Sequence, residues 1–170
     1  MGRPSQHLQT LEWIGLPMLV AMAATLAFAA PIRLFSLPLP EPIFPMALAF
    51  AWAVIRPSVL GPFALLLLGL FLDMFWGTPF GLWGLSLLIV YFAALLTRQL
   101  IAGQGPQALW IVYAVMVFLG FGCAYILAAV GAGTPPNVLG SLLQYAATVA
   151  LYPVAYWLTE RFEDADVRFR

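Results

Sequence analysis

Charge is what this sequence has least of. Only 8% of its 170 residues are charged, where a water-soluble domain carries about a quarter. Seven acids and seven bases cannot solubilise a globule of this size, and 64% apolar content reads as a membrane protein. Lysine is absent, and the seven bases, all Arg, are balanced by the acids. A zero net charge leaves no basic face for nucleic acid. Histidine occurs once, as His7 in the polar N-terminal tail, so no histidine relay and no histidine-based metal site is expected. Cysteine also occurs once, as Cys123 inside an apolar run, which excludes an internal disulfide and a Cys-based zinc site.

Catalytic combinations are missing for the same reason. Ser58, Ser86 and Ser141 have no base near them in sequence, and the Gly-containing stretches 103–105 and 131–133 lack the Lys and strand of a phosphate loop. Asp73 is the only carboxylate between Glu41 and Glu160, so no paired-acid site forms at membrane depth. The chain therefore reads as a non-enzyme without a metal or other cofactor.

What is present is a series of long apolar runs. Six segments approach the roughly 20 residues that a membrane-crossing helix needs. They cover about 13–30, 38–55, 58–76, 80–97, 107–130 and 137–158, and predict a single all-α domain of six transmembrane helices over 1–170. Pro and Gly gather in the breaks at 31–42, 56–57, 76–79, 98–107 and 131–136, where Pro cannot continue a helix and Gly accepts positive φ. Pro45 lies inside the second segment, which is expected to be kinked or partly re-entrant. The first segment resembles a secretory signal at Ala27-Phe28-Ala29, yet it is long and Glu12 stands where positive charge belongs, so it is read as a retained span.

The Arg residues fix an expected orientation. With the N-terminus inside, Arg3, Arg56, Arg98, Arg161, Arg168 and Arg170 face the cytoplasm and Arg33 alone faces out, as the positive-inside rule requires. Both termini are then cytoplasmic. Trp13, Trp76, Trp110 and Trp157 fall near segment ends, as interfacial anchors do.

Asp73 stands out in the third segment. An acid at a helix centre costs roughly 2.5–3.5 kcal/mol to insert, and the surrounding Leu, Phe and Val residues together offset about 3–7 kcal/mol, so insertion tolerates the acid without explaining it. Gly61, Leu65, Gly69 and Asp73 recur every four residues and share one helix face, so the acid points into the bundle beside residues small enough for a close neighbour. Two partners stand within reach. Arg33 in the outer loop is one; the other is the positive start of the fourth helix, where Thr78 and Pro79 read as cap and first residue. The acid either fastens this turn or contacts a ligand or partner directly. Ser141 and Gln144 are expected to bond between helices, and Pro153 to kink the last span.

The order Pro45, Trp52, Arg56-Pro57, Gly69-Leu70-Phe71-Leu72-Asp73, Gly77, Gly81, then an apolar span ending in Arg98, resembles the bacterial rod shape-determining protein MreD family. Tyr152-Pro153 and the mixed-charge tail are similar to that family's last span, and the resemblance extends from about residue 40 to 162. It implies a non-catalytic multi-pass protein of the bacterial cytoplasmic (inner) membrane, a scaffold of the cell-elongation machinery needed for rod shape and lateral peptidoglycan synthesis. The implied partner is MreC, and through it MreB, RodA and a class B penicillin-binding protein. The implied fold is similar to the S-components of energy-coupling-factor transporters. Gly69, Asp73, Gly77 and Gly81 carry over as structural motif residues, with Arg56, Pro57, Thr78, Pro79 and Pro153 beside them as the motif or partner surface.

The same six-helix plan admits an alternative, the substrate-binding S-component of a vitamin transporter. That function needs an outward pocket, for which the outer loops supply only Phe35, Glu41, Trp76, Thr78 and Asn137. In either case membrane lipid is the surrounding partner.

Overall fold

A computed structural model describes residues 6–28, 33–34, 37–38, 41–55, 57–101, 103–132 and 135–156. Among them the chain forms six α-helices: α1 (Gln6–Phe28), α2 (Phe44–Ile55), α3 (Leu60–Trp76), α4 (Leu82–Ile101), α5 (Pro106–Ala132) and α6 (Val138–Val149). The one departure from helix is a two-residue antiparallel pairing, β1 (Arg33–Leu34) with β2 (Leu37–Pro38), between α1 and α2. Three stretches are long and apolar enough to cross a membrane: Leu82–Leu100, Pro106–Gly131 and Val138–Tyr156.

Breaks and starts follow local chemistry. Pro106 occupies the first position of α5, where its missing N–H is not needed. α6 ends at Val149 and a helical turn resumes over 152–156, because Pro153 cannot donate to the Val149 carbonyl and its ring crowds that oxygen. The expected kink at Pro153 is thus a two-residue interruption placed one turn ahead of the proline.

α2 differs from the segment read at 38–55. It has 12 residues, a rise of about 18 Å, and Pro45 sits in its first turn, where a proline starts a helix rather than bending it. Every residue from Pro45 to Ala53 is buried. A helix this short is apolar on all sides because it forms the centre of the bundle, packed by α1, α3, α4, α5 and α6. Its alanines at 47, 49, 51 and 53 let those neighbours come close, and Phe50 meets Tyr113 of α5 edge-on at 5.3 Å.

α3, α4 and α5 run antiparallel in sequence through short turns. At one end the turn 77–81 lies beside residues 41–43 and the end of α5: Trp76 Nε1 donates to Glu41 Oε2 at 3.1 Å, and Pro79 Cγ stands 3.3 Å from where a Gly131 Cβ would be. At the other end Arg98 Nη2 donates to the Ile55 carbonyl at 3.5 Å and the Tyr91 hydroxyl to the Ser58 carbonyl at 3.3 Å.

Candidate functional site

Asp73 is buried at 1% exposure in the last turn of α3. Its backbone carbonyl accepts the N–H of Gly77 and, at 3.0 Å, that of Thr78, which closes the C-terminus of α3. Gly77 makes that closure possible at φ 66°, ψ 28°, a left-handed conformation that β-carbon-bearing residues avoid.

The side chain of the same residue closes the start of α4. Asp73 Oδ2 accepts the Gly81 N–H at 2.7 Å, and Oδ1 accepts the Trp83 N–H at 3.0 Å and the Thr78 hydroxyl at 2.9 Å. Gly81 stands at the N-cap and has no side chain to offer the first amides of α4, so the preceding helix supplies the acceptor. A carboxylate at that place also meets the positive end of the helix dipole. Hydrogen bonds to a charged group contribute about 1.5–3 kcal/mol each. One residue therefore holds the end of one helix and the beginning of the next.

This geometry corrects one detail of the sequence reading. α4 begins at Leu82, so Thr78 and Pro79 belong to the turn and do not serve as its cap and first residue. Thr78 looks like a cap because it precedes Pro, but its hydroxyl donates to Asp73 instead of accepting from α4. Pro79 is exposed, and its carbonyl accepts the Leu82 N–H at 3.1 Å.

Close approach of the two helices brings these groups within reach. Gly69, one turn before Asp73, packs directly on Gly84: a Cβ built on Gly69 would lie 2.3 Å from both the Cα and the N of Gly84. Gly69, Asp73, Gly77, Thr78, Pro79 and Gly81 thus come together around one helix junction. Pro57 and Pro153 do not join them; Pro57 is exposed between α2 and α3, and Pro153 is exposed in the 152–156 turn. Arg56 and the side chain of Arg33 lie outside the described residues. Among the described residues the Asp73 carboxylate is served by backbone amides and Thr78.

Sequence reasoning missed several members of this region. Trp83 gives its backbone N–H to Asp73 and its ring to an aromatic series, meeting Trp76 at 5.3 Å and Phe121 at 6.1 Å. Glu41, read from the sequence only as an outer-loop pocket residue, is tied to Trp76 by its carboxylate and to Gln144 of α6 by its carbonyl at 3.2 Å. Gly120 of α5 is the second close crossing, with Val90 Cγ2 of α4 only 2.7 Å from the place of a Cβ.

Among the described residues no group of three or more His, Cys, Asp or Glu gathers to hold a metal ion. The polar atoms named here bond to one another: Thr78 to Asp73, Glu41 to Trp76, and Asn137 to the Leu139 N–H as the cap of α6. Such a site fixes backbone geometry. No protein-family model, no curated protein and no solved structure matches the chain.

Proposed function

We propose that the protein is a non-catalytic, multi-pass scaffold of the bacterial inner membrane, acting in cell elongation as the MreD family does, by holding MreC. The observation that carries this reading is the double closure at Asp73, reinforced by the Gly69–Gly84 contact. Gly69, Asp73, Gly77 and Gly81 are among the residues through which the sequence resembles that family, and the geometry gives their spacing a physical reason. Gly69 permits the approach, Asp73 joins the helices, and Gly77 and Gly81 provide the turn. A membrane protein whose one described intramembrane acid is spent on rigidity is suited to presenting a fixed helical surface to another protein. In this reading all six helices are embedded in the bilayer, with both termini cytoplasmic. MreB, RodA and a class B penicillin-binding protein are reached through MreC.

Affinity purification of the tagged protein from native membranes in mild detergent, followed by mass spectrometry, tests the proposal. Co-purification of MreC with RodA or a penicillin-binding protein is the expected result. Recovery of a transporter's coupling subunit and ATPases in their place would replace the scaffold with the vitamin-binding alternative.

A further inference from the structure

Exposed apolar lengths differ around the bundle. On α5 the exposed apolar side chains run from Trp110 to Val130, a rise of about 30 Å, which matches an ordinary hydrocarbon core. On α4 the uncharged run from Leu82 ends at Arg98 after a rise of about 24 Å, and Arg98 and the Gln99 that follows it are both exposed. α3 rises about 25 Å, and its exposed apolar side chains run from Leu60 to Phe75. We propose that the protein thins the bilayer along α3 and α4 and there favours phospholipids with short acyl chains.

The two short helices are short at the same levels. Asp73 joins the end of α3 to the start of α4, and Gly69 packs on Gly84. Towards the other end the Tyr91 hydroxyl of α4 donates to the carbonyl of Ser58, just ahead of α3. Neither helix can therefore slide along the other to lengthen their common apolar face. The central helix α2 is shorter still, with a rise of about 18 Å, and both charged ends of the face are tied beside it. Trp76 of α3 donates to Glu41, just before α2, and Arg98 of α4 donates to the carbonyl of Ile55, its last residue.

A short apolar face in a thicker bilayer is met by snorkelling, by association with protein or by thinning of the lipid. Tilting the bundle shortens the span further. Snorkelling is limited because the Arg98 guanidinium is turned to the Ile55 carbonyl, which keeps its charge at the level where α2 stops. A charge left in hydrocarbon is costly, so the lipid boundary is drawn down to it. The inference rests on the reading that all six helices lie in a bilayer, and not on MreC.

The test uses the full chain in dioleoyl-phosphatidylcholine vesicles. A trace of phosphatidylcholine with either short myristoleoyl or long erucoyl chains carries a photoactivatable diazirine, and labelled peptides are mapped after irradiation. The ratio of short-chain to long-chain labelling at Phe63, Leu67 and Ile89 should exceed that at Val115 and Ile126 of α5 by about twofold, as a mismatch of several Å implies. Replacing both Arg98→Leu and Gln99→Leu carries the uncharged, apolar run of α4 on to Ile101 and should lower the ratio at Ile89, with an unchanged circular dichroism spectrum showing that the variant is folded. Equal ratios on the two sides would overturn the thinning, and an unchanged ratio in the double variant would overturn Arg98 as its limit. Labelling of α5 alone would mean that protein covers α3 and α4, which overturns this inference and leaves the bilayer reading standing. Labelling of neither side would overturn the bilayer reading itself.

Discussion

Gly69 and Gly84 meet backbone to backbone where α3 crosses α4, and the contact is one-sided. A Cβ on Gly69 would fall 2.3 Å from the Gly84 Cα, whereas a Cβ on Gly84 would come no closer than 3.4 Å, to the Leu66 Cδ2, with the Leu66 carbonyl oxygen at an ordinary 3.8 Å. The two glycines are therefore unequal to mutation. Gly69→Ala must push the helices apart and should cost on the order of 3 kcal/mol. Gly84→Ala needs a side-chain adjustment only and should stay within about 1 kcal/mol. Thermal unfolding of the two variants in detergent, followed by circular dichroism, measures the difference; equal losses would contradict the packing described.

Asp73 should resist its closest isostere. Both carboxylate oxygens accept, and all three partners donate. In Asp73→Asn one acceptor becomes an NH2 group facing a donor, so a buried N–H or hydroxyl is left unpaired. The expected loss is about 2–4 kcal/mol of stability. Thr78→Val removes a single donor and should cost about 1 kcal/mol. An Asp73→Asn protein that unfolds with the wild type and still recovers the proposed partner, MreC, from membranes would end the claim that this closure matters.

Backbone conformation, not space, constrains the turn. A Cβ at Gly77 or Gly81 would meet nothing within 4 Å, yet their φ angles are 66° and 91°. Asn tolerates the left-handed region at Gly77, so Gly77→Asn should be milder than Gly77→Ala. Gly81→Ala should cost about 1–2 kcal/mol. Unfolding midpoints in which Gly77→Asn and Gly77→Ala coincide would show that something other than backbone strain sets the preference.

Local signals made much of this legible. Apolar runs and Pro/Gly breaks located the helices, and the four-residue spacing of Gly61, Leu65, Gly69 and Asp73 identified the buried face of α3, where all four are buried. What the sequence hid is non-local. Gly84 and Gly120 look like weak points within α4 and α5 until the crossing partner is known. The hydrogen bond between the Ile43 N–H and Thr148 joins residues 105 apart, and no local pattern announces it. Thr78-Pro79 misled because a cap and a turn use the same residues, and only the position of Asp73 decides which way the hydroxyl points.

Thr148 governs how the last helix is held. Thr148 is the one fully buried residue of α6, so polar contacts matter more here than packing. The buried Thr148 hydroxyl accepts the Ile43 N–H at 3.1 Å and donates to the Gln144 carbonyl at 2.8 Å. Its carbonyl accepts the Tyr113 hydroxyl at 3.0 Å and the Leu151 N–H at 3.1 Å, just where α6 breaks off. Thr148→Val preserves shape but strands the Ile43 N–H in a residue with no exposure, and should cost about 1–3 kcal/mol. Tyr113→Phe removes one bond from a carbonyl that keeps another, so its effect should be about 1 kcal/mol or less. Hydrogen exchange in detergent micelles separates the two. Thr148→Val should speed exchange at Ile43 and across 148–156 while the α3–α4 junction stays protected, and unchanged exchange at Ile43 would show that α6 is held by some other means.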